Sequence, residues 1–289
     1  MAADGLLLLC TVFWGLTFVL VKEALGKVGA FLFLAQRFFL AFAVLSILSL
    51  VRRRRLTAAA LGRGTLLGCF LFGAFAFQTV ALQYTTASNA AFLTGLNVII
   101  VPALGALIYC YRVPWTVKAG VLLASIGLLL LCTQGRWSLN PGDILAGLCA
   151  LFVALHVIFT GRYARESDVV LLTTVQIGFI ALASGMLAVL LGDSPWRWHG
   201  EIFWSLLICA LFATVFTFLI QTAMQRYTSA AHTALVFCME PVFGAIFAAL
   251  MLGERLGPWG IVGAVLILAG IILSEAPRSR QFSTKQTDV

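Results

Sequence analysis

The sequence predicts an all-α membrane protein: ten transmembrane helices arranged as two inverted five-helix repeats. Three observations lead there. Of 289 residues, 62% are hydrophobic and only 10% charged, where soluble domains carry roughly a quarter charged residues. The apolar residues form windows of about 20, the length that crosses a bilayer as a helix. Finally, the chain repeats itself 143 positions on. Phe75, Gln78, Thr79, Tyr84, Thr85, Ala106, Arg112, Gly120 and Gly127 recur as Phe218, Gln221, Thr222, Tyr227, Thr228, Ala249, Arg255, Gly263 and Gly270.

In chain order, the windows lie near 5–21, 30–51, 65–82, 87–110, 115–133, 142–161, 169–191, 202–225, 229–252 and 257–275. Charged or turn-forming residues separate them: Lys22-Glu23, Arg52 to Arg55, Arg112-Val113-Pro114, Asn140-Pro141-Gly142-Asp143, Arg165 to Asp168, Gly192 to Pro195, and Gly253-Glu254-Arg255. These groups are costly in hydrocarbon and break helices, so they mark the ends of spans. The N-terminus lacks the basic stretch of a signal peptide, so the first window is expected to stay as a span.

Lysine and arginine in the loops set the orientation. One side gathers thirteen: Arg52 to Arg55, Arg63, Arg112, Lys118, Arg162, Arg165, Arg226, Arg278, Arg280 and Lys285. The other has five: Lys22, Lys27, Arg136, Arg197 and Arg255. Both termini are therefore expected in the cytoplasm. The repeated Tyr-Thr pairs, Tyr84-Thr85 and Tyr227-Thr228, follow the third and eighth spans. Five spans separate them, an odd number, so the two loops face opposite sides and the halves are inverted. The first repeat is expected over 5–133, the second over 142–275, and a polar cytoplasmic tail over 276–289.

The composition also excludes. The net charge of +8 is spread over loops. Its one dense run, Arg52 to Arg55, reads as an anchor at an anionic leaflet rather than a nucleic-acid site. Seven cysteines, scattered through apolar segments, form neither a disulfide framework nor a zinc set. No metal or other cofactor is expected. Neither a phosphate-binding glycine loop nor a hydrolytic constellation occurs, which argues against an ATPase and against an intramembrane enzyme.

Several motifs carry a family resemblance: Trp14-Gly15 in span one, Arg37 in span two, Gln83-Tyr84-Thr85-Thr86-Ala87-Ser88-Asn89-Ala90-Ala91-Phe92 opening span four, Glu240-Pro241-Val242-Phe243 within span nine, and Leu252-Gly253-Glu254-Arg255-Leu256 after it. In these the chain resembles the drug/metabolite transporter superfamily, specifically its EamA type, over all ten spans. The resemblance implies a secondary carrier, often an exporter of amino acids or other small metabolites. One departure stands out: Gly253-Glu254-Arg255 corresponds to Cys110-Tyr111-Arg112, so the acidic position is not symmetric.

Polar side chains at bilayer depth are costly unless they face partners or a wet cavity, which makes them candidates for function. The repeat pairs them. At an offset of 143, Gln78 falls on Gln221 and Asn97 on Glu240; near 139, Thr17 falls on His156 and Arg37 on Gln176. A substrate site is expected at Trp14, Arg37, Asn97, His156, Gln176 and Glu240. Glu240 precedes Pro241, which lacks an N–H and disfavours helical backbone in its predecessor; it could hold a proton or a cationic group, or only serve the kink. Arg37 could grip a carboxylate in bidentate fashion, snorkel or form a structural pair. His156 could titrate or be a hydrogen-bonded core residue. Trp14 could form part of an aromatic wall. Gln78, Gln221 and Asn89 could bridge helices or contact substrate.

The expected function is secondary export of a small, amino-acid-like metabolite across a bacterial cytoplasmic membrane by alternating access, with protons a possible coupling partner and membrane lipids as surroundings. The alternative is a translocase of a lipid-linked or amphipathic, cationic drug-like molecule.

Overall fold

Lipid offers no partner to backbone N–H and C=O groups, so an apolar chain of this kind must satisfy them within helices. The computed structural model describes residues 2–85, 87–133, 141–193, 200–253 and 257–275, and every regular element among them is helical. The order is α1 (Ala2–Leu25), α2 (Ala30–Val51), α3 (Ala58–Tyr84), α4 (Ala87–Gly95), α5 (Asn97–Tyr109), α6 (Trp115–Thr133), α7 (Pro141–Glu166) and α8 (Val169–Leu190). A 3₁₀ turn (Gly200–Ile202), α9 (Phe203–Ala210), a π-helical segment (Leu211–Phe216) and α10 (Thr217–Met224) then run on as one stretch. α11 (Ala230–Phe237), α12 (Met239–Leu252) and α13 (Pro258–Glu275) complete the fold.

Seven described helical stretches are long and apolar enough to cross a membrane, and Leu93–Tyr109, Trp115–Leu131 and Pro258–Ser274 form three shorter apolar helices. The chain is a multi-pass membrane protein. Helix starts are capped where the sequence supplies an oxygen: Thr57 accepts from the Ala60 amide at 3.1 Å, Asp168 from Leu171 at 3.1 Å and Ser229 from His232 at 3.2 Å. The Thr57 cap starts α3 at residue 58, earlier than the apolar window near 65–82, because a helix need not end where hydrocarbon does. Residues Arg136, Trp137, Asn140, Pro195, Trp196, Arg197, Trp198, Glu254, Arg255 and the tail 276–289 lie outside the described residues, as do the side chains of Asn89 and Cys132.

Small residues set the closest helix contacts. A Cβ on Gly120 would meet the Gly270 carbonyl at 2.6 Å, and one on Gly263 would meet the Gly127 carbonyl at 2.5 Å. Thus α6 and α13 touch backbone to backbone, Gly120 against Gly270 and Gly127 against Gly263. As one number rises the other falls, so these helices are antiparallel. α2 lies against α8, where Ser49 and Thr174 hydroxyls are 2.9 Å apart. α3 packs on α7, with Gly73 under the Phe152 ring and the Arg63–Glu166 ion pair (2.6 Å) at one end. Gly15 of α1 meets Phe243 and Gly244 of α12.

Two acids in corresponding places, Asp4 and Asp143, tie α1 and α7 to other elements. His232 Nε2 lies 3.0 Å from Asp4 Oδ1, while Thr85 donates to Asp143 Oδ1 at 2.7 Å. The left-handed residues that end α5 and α12 also correspond, Cys110 (φ 51°) and Gly253 (φ 69°).

Candidate functional site

Three helix irregularities position the site. α5 and α12 each begin after a single turn residue, Leu96 (φ −62°, ψ −9°) and Cys238 (φ −61°, ψ −11°). Asn97 is the first residue of α5 and Glu240 the second of α12. The third irregularity is the π-helical segment, whose wider turn lets Thr214 Oγ1 reach back to the Cys209 carbonyl at 2.8 Å. Such segments leave carbonyls free for other donors.

Two side chains use that freedom. Arg37 is 2% exposed; its Nε donates to Thr214 Oγ1 at 2.9 Å and its Nη2 to the Ala213 carbonyl at 3.2 Å. Phe38 and Phe75 lie against the guanidinium, with ring centroids at 5.2 and 5.0 Å. Trp14 Nε1 donates to the same Ala213 carbonyl at 3.1 Å. α1 and α2 are thus fastened to the π-helical segment by two donors on one oxygen.

Beneath this knot lies a cavity of about 70 Å³ lined from both halves of the chain, including Trp14, Arg37, Gln78, Asn97, His156, Gln221 and Glu240. Five of the six residues expected at a substrate site are therefore together: Trp14, Arg37, Asn97, His156 and Glu240. Gln176 is the exception. It is fully buried behind the wall, where its Oε1 lies 2.8 Å from His156 Nε2. It orients the imidazole, which Thr160 also approaches at 3.3 Å, and does not itself face the cavity. Position along a helix was readable from sequence; the rotation that turns Gln176 toward α7 depends on how α8 packs.

Gln78 and Gln221 also line the cavity. Their recurrence at the 143 offset signalled them, but could not separate a bridging amide from a lining one. Glu240 forms no hydrogen bond or ion pair among the described residues. Aromatic rings close the walls: Trp14 meets Phe237 edge-on at 4.9 Å, and Phe218 lies 5.6 Å from Trp14 and 6.2 Å from Phe75. Among the described residues, no three His, Cys, Asp or Glu side chains are grouped as metal ligands.

The chain is 34% identical over 271 residues to an uncharacterized transporter of Archaeoglobus fulgidus, an alignment spanning 94% of this chain and 85% of that one. It is 29% identical over 285 residues to a probable amino-acid metabolite efflux pump of Salmonella typhimurium, with 94% of each chain covered. A crystal structure only 20% identical superposes with a TM-score of 0.77 over 94% of this chain and 96% of that one, a likeness of fold. The model of the EamA-like transporter family matches residues 1–133 and again 140–275. The chain belongs to the EamA-like transporter family, and it is a transporter rather than an enzyme.

Proposed function

We propose that this protein is a secondary transporter exporting a small, amino-acid-like metabolite across a bacterial cytoplasmic membrane, with both termini in the cytoplasm. Alternating access would move the substrate through the central cavity between two inverted five-span repeats. The observation that carries this reading is the convergence of Trp14, Arg37, Asn97, His156 and Glu240, from five separate helices, on one buried space. Buried polar groups retained at bilayer depth mark substrate or ion pathways. The efflux-pump relative supports the amino-acid-like class.

The α6–α13 seam supports inversion. Adding 143 turns Gly120 into Gly263 and Gly127 into Gly270. Exchanging equivalents therefore converts the contact Gly120–Gly270 into Gly263–Gly127, which is the other observed contact. A pair of equivalent helices that packs antiparallel and maps onto itself is what a twofold axis in the membrane plane requires. At about 70 Å³, the cavity is smaller than the roughly 300 Å³ lower bound of ligand pockets. The structure is thus read as a closed state that must widen to take cargo.

Flux of radiolabelled amino acids in proteoliposomes tests the activity: accumulation driven by an imposed proton gradient, or exchange against internal amino acid, is expected above empty liposomes. No flux under either condition would sink the reading. Topology is tested separately by cysteine labelling at Tyr84 and Tyr227, both exposed; labelling of both from one side would refute inverted repeats.

One feature favours a second reading, translocation of an amphipathic molecule. An apolar lateral groove of about 800 Å³ runs between α2, α8 and α9, lined by Phe39, Met186 and Phe203 among others. A lipid-linked substrate that outcompetes amino acids in the same flux assay would decide for it.

A further inference from the structure

The cavity's hydrogen-bonding groups are unevenly spoken for. Asn97 Nδ2 donates to the Thr94 carbonyl at 2.8 Å. A carbonyl accepts only, so this bond fixes the amide and leaves Oδ1 pointing away; that oxygen is buried with no partner among the described residues. Gln221 is fixed through a chain. Gln225 Nε2 donates to the Val157 carbonyl at 3.0 Å, so Gln225 Oε1 must accept, and Gln221 Nε2 donates to it at 3.2 Å. Gln221 Oε1 is again buried with no partner among the described residues. Both residues line the cavity, at 6% and 1% exposure. Glu240 adds carboxyl oxygens that no described residue engages.

Two of the cavity's donor residues are committed, while the Gln78 amide, which can donate or accept, forms no hydrogen bond among the described residues. Trp14 Nε1 and two nitrogens of Arg37 are held by the π-helical segment. The Nε–Nη2 edge, one of the two that could grip a carboxylate in bidentate fashion, is already occupied. The cavity therefore presents three sets of oxygen acceptors within aromatic walls of Trp14, Phe75, Phe218 and Phe237. Leaving a buried acceptor unmade is costly; the Phe75 ring already carries the Arg37 guanidinium, and the other rings, with the Glu240 carboxyl, favour a cation over an anion.

Resting on the reading of this cavity as the transport site, we infer that it receives the protonated amine of the substrate, with Asn97 Oδ1, Gln221 Oε1 and Glu240 as its acceptors, while Arg37 clamps the π-helical segment.

Cys149, a free thiol on the cavity wall, reports occupancy in the wild-type chain. Phenethylamine, N-acetylphenethylamine and phenylacetate share a ring and differ in the polar head. Each is titrated against N-ethylmaleimide modification of the purified protein, read residue by residue by mass spectrometry, with exposed Cys110 as control. Phenethylamine alone is expected to slow modification of Cys149. Asn97→Leu and Gln221→Leu should each raise the concentration needed by about tenfold, the loss of one hydrogen bond to a charged group. Should the leucine variants not fold, Glu240→Gln carries the test, since it keeps the shape and one acceptor oxygen but removes the charge; it should weaken amine protection. Protection by phenylacetate equal to or better than that by the amine overturns the assignment and leaves the cavity reading standing. Protection by none of the three overturns both.

Discussion

The broken helices α4–α5 and α11–α12 do the same thing by different chemistry. Their junction residues, Leu96 and Cys238, have nearly the same backbone angles. In α12, Pro241 removes an N–H two positions after Met239, so the Phe237 carbonyl cannot find its usual partner. The residue corresponding to Pro241 in α5 is Val98, which removes nothing. There the Asn97 side chain takes the Thr94 carbonyl instead, a side-chain bond that competes with the helical ladder. The kink thus belongs to the architecture, and either device can make it. What differs is the group delivered to the cavity: an amide with one end already committed in the first half, and an uncommitted carboxyl in the second. Of the two broken helices, α12 alone brings an ionisable group to the cavity, Glu240.

The largest test of that asymmetry is Glu240→Gln. It preserves shape and removes the exchangeable proton. Gradient-driven flux in proteoliposomes is expected to fall more than about tenfold, while substrate exchange persists with little pH dependence. Asn97→Ala should weaken flux yet retain whatever pH dependence the wild type shows. Wild-type-like proton-driven flux in Glu240→Gln would make the two halves equivalent and reduce Glu240 to a kink residue.

The next effect concerns stability. Arg37→Met removes the two Arg37 donors to the π-helical segment; Thr214 Oγ1 loses its donor while the Ala213 carbonyl keeps Trp14, at a cost of about 2 kcal/mol. A lowered melting temperature in detergent checks it. Gln176→Leu, at the corresponding position of the second half, loses only the bond to His156 and should cost about 1 kcal/mol. Equal losses would show that the two positions do the same job.

A smaller effect is expected at the α6–α13 seam. Gly263→Ala drives a Cβ against the Gly127 carbonyl and the Leu131 amide, so the helices must separate, at about 2 kcal/mol. Gly120→Ala, facing the Gly270 carbonyl at 2.6 Å, should cost about the same if the seam lies on a twofold axis. A large difference between the two variants would break the symmetry argument.

The smallest effect concerns the paired left-handed caps. Cys110 adopts φ 51° where its counterpart Gly253 adopts φ 69°. A side chain in that region is strained, whereas glycine is not. Cys110→Gly should stabilise by about 0.5–1 kcal/mol, and Gly253→Ala should destabilise by a similar amount; thermal melts of both variants test the pair.

Much of this was legible in the sequence because its causes are local or periodic. A helix in lipid needs only an apolar run, so the windows marked the helices, although Thr57 starts α3 before its window opens. The offsets of 143 and 139 brought Asn97 opposite Glu240 and Arg37 opposite Gln176 without any coordinates, and five of the six candidate residues reach one cavity. Sequence alone also indicated a kink at Glu240-Pro241, since a missing N–H is written in the residue type.

Other features were decided only by tertiary packing. The π-helical segment Leu211–Phe216 has no counterpart at the corresponding place in continuous α3. It is held by Trp14 and Arg37, which lie some 200 and 176 residues away in the chain. Whether Arg37 meets a substrate or a carbonyl, and whether Gln176 faces the cavity or the His156 ring, follows from helix rotation. The open oxygens of Asn97 and Gln221 follow from which neighbour claims each amide's other end. Residue type supplies donors and acceptors; only contacts between distant segments determine which of them are left for a ligand.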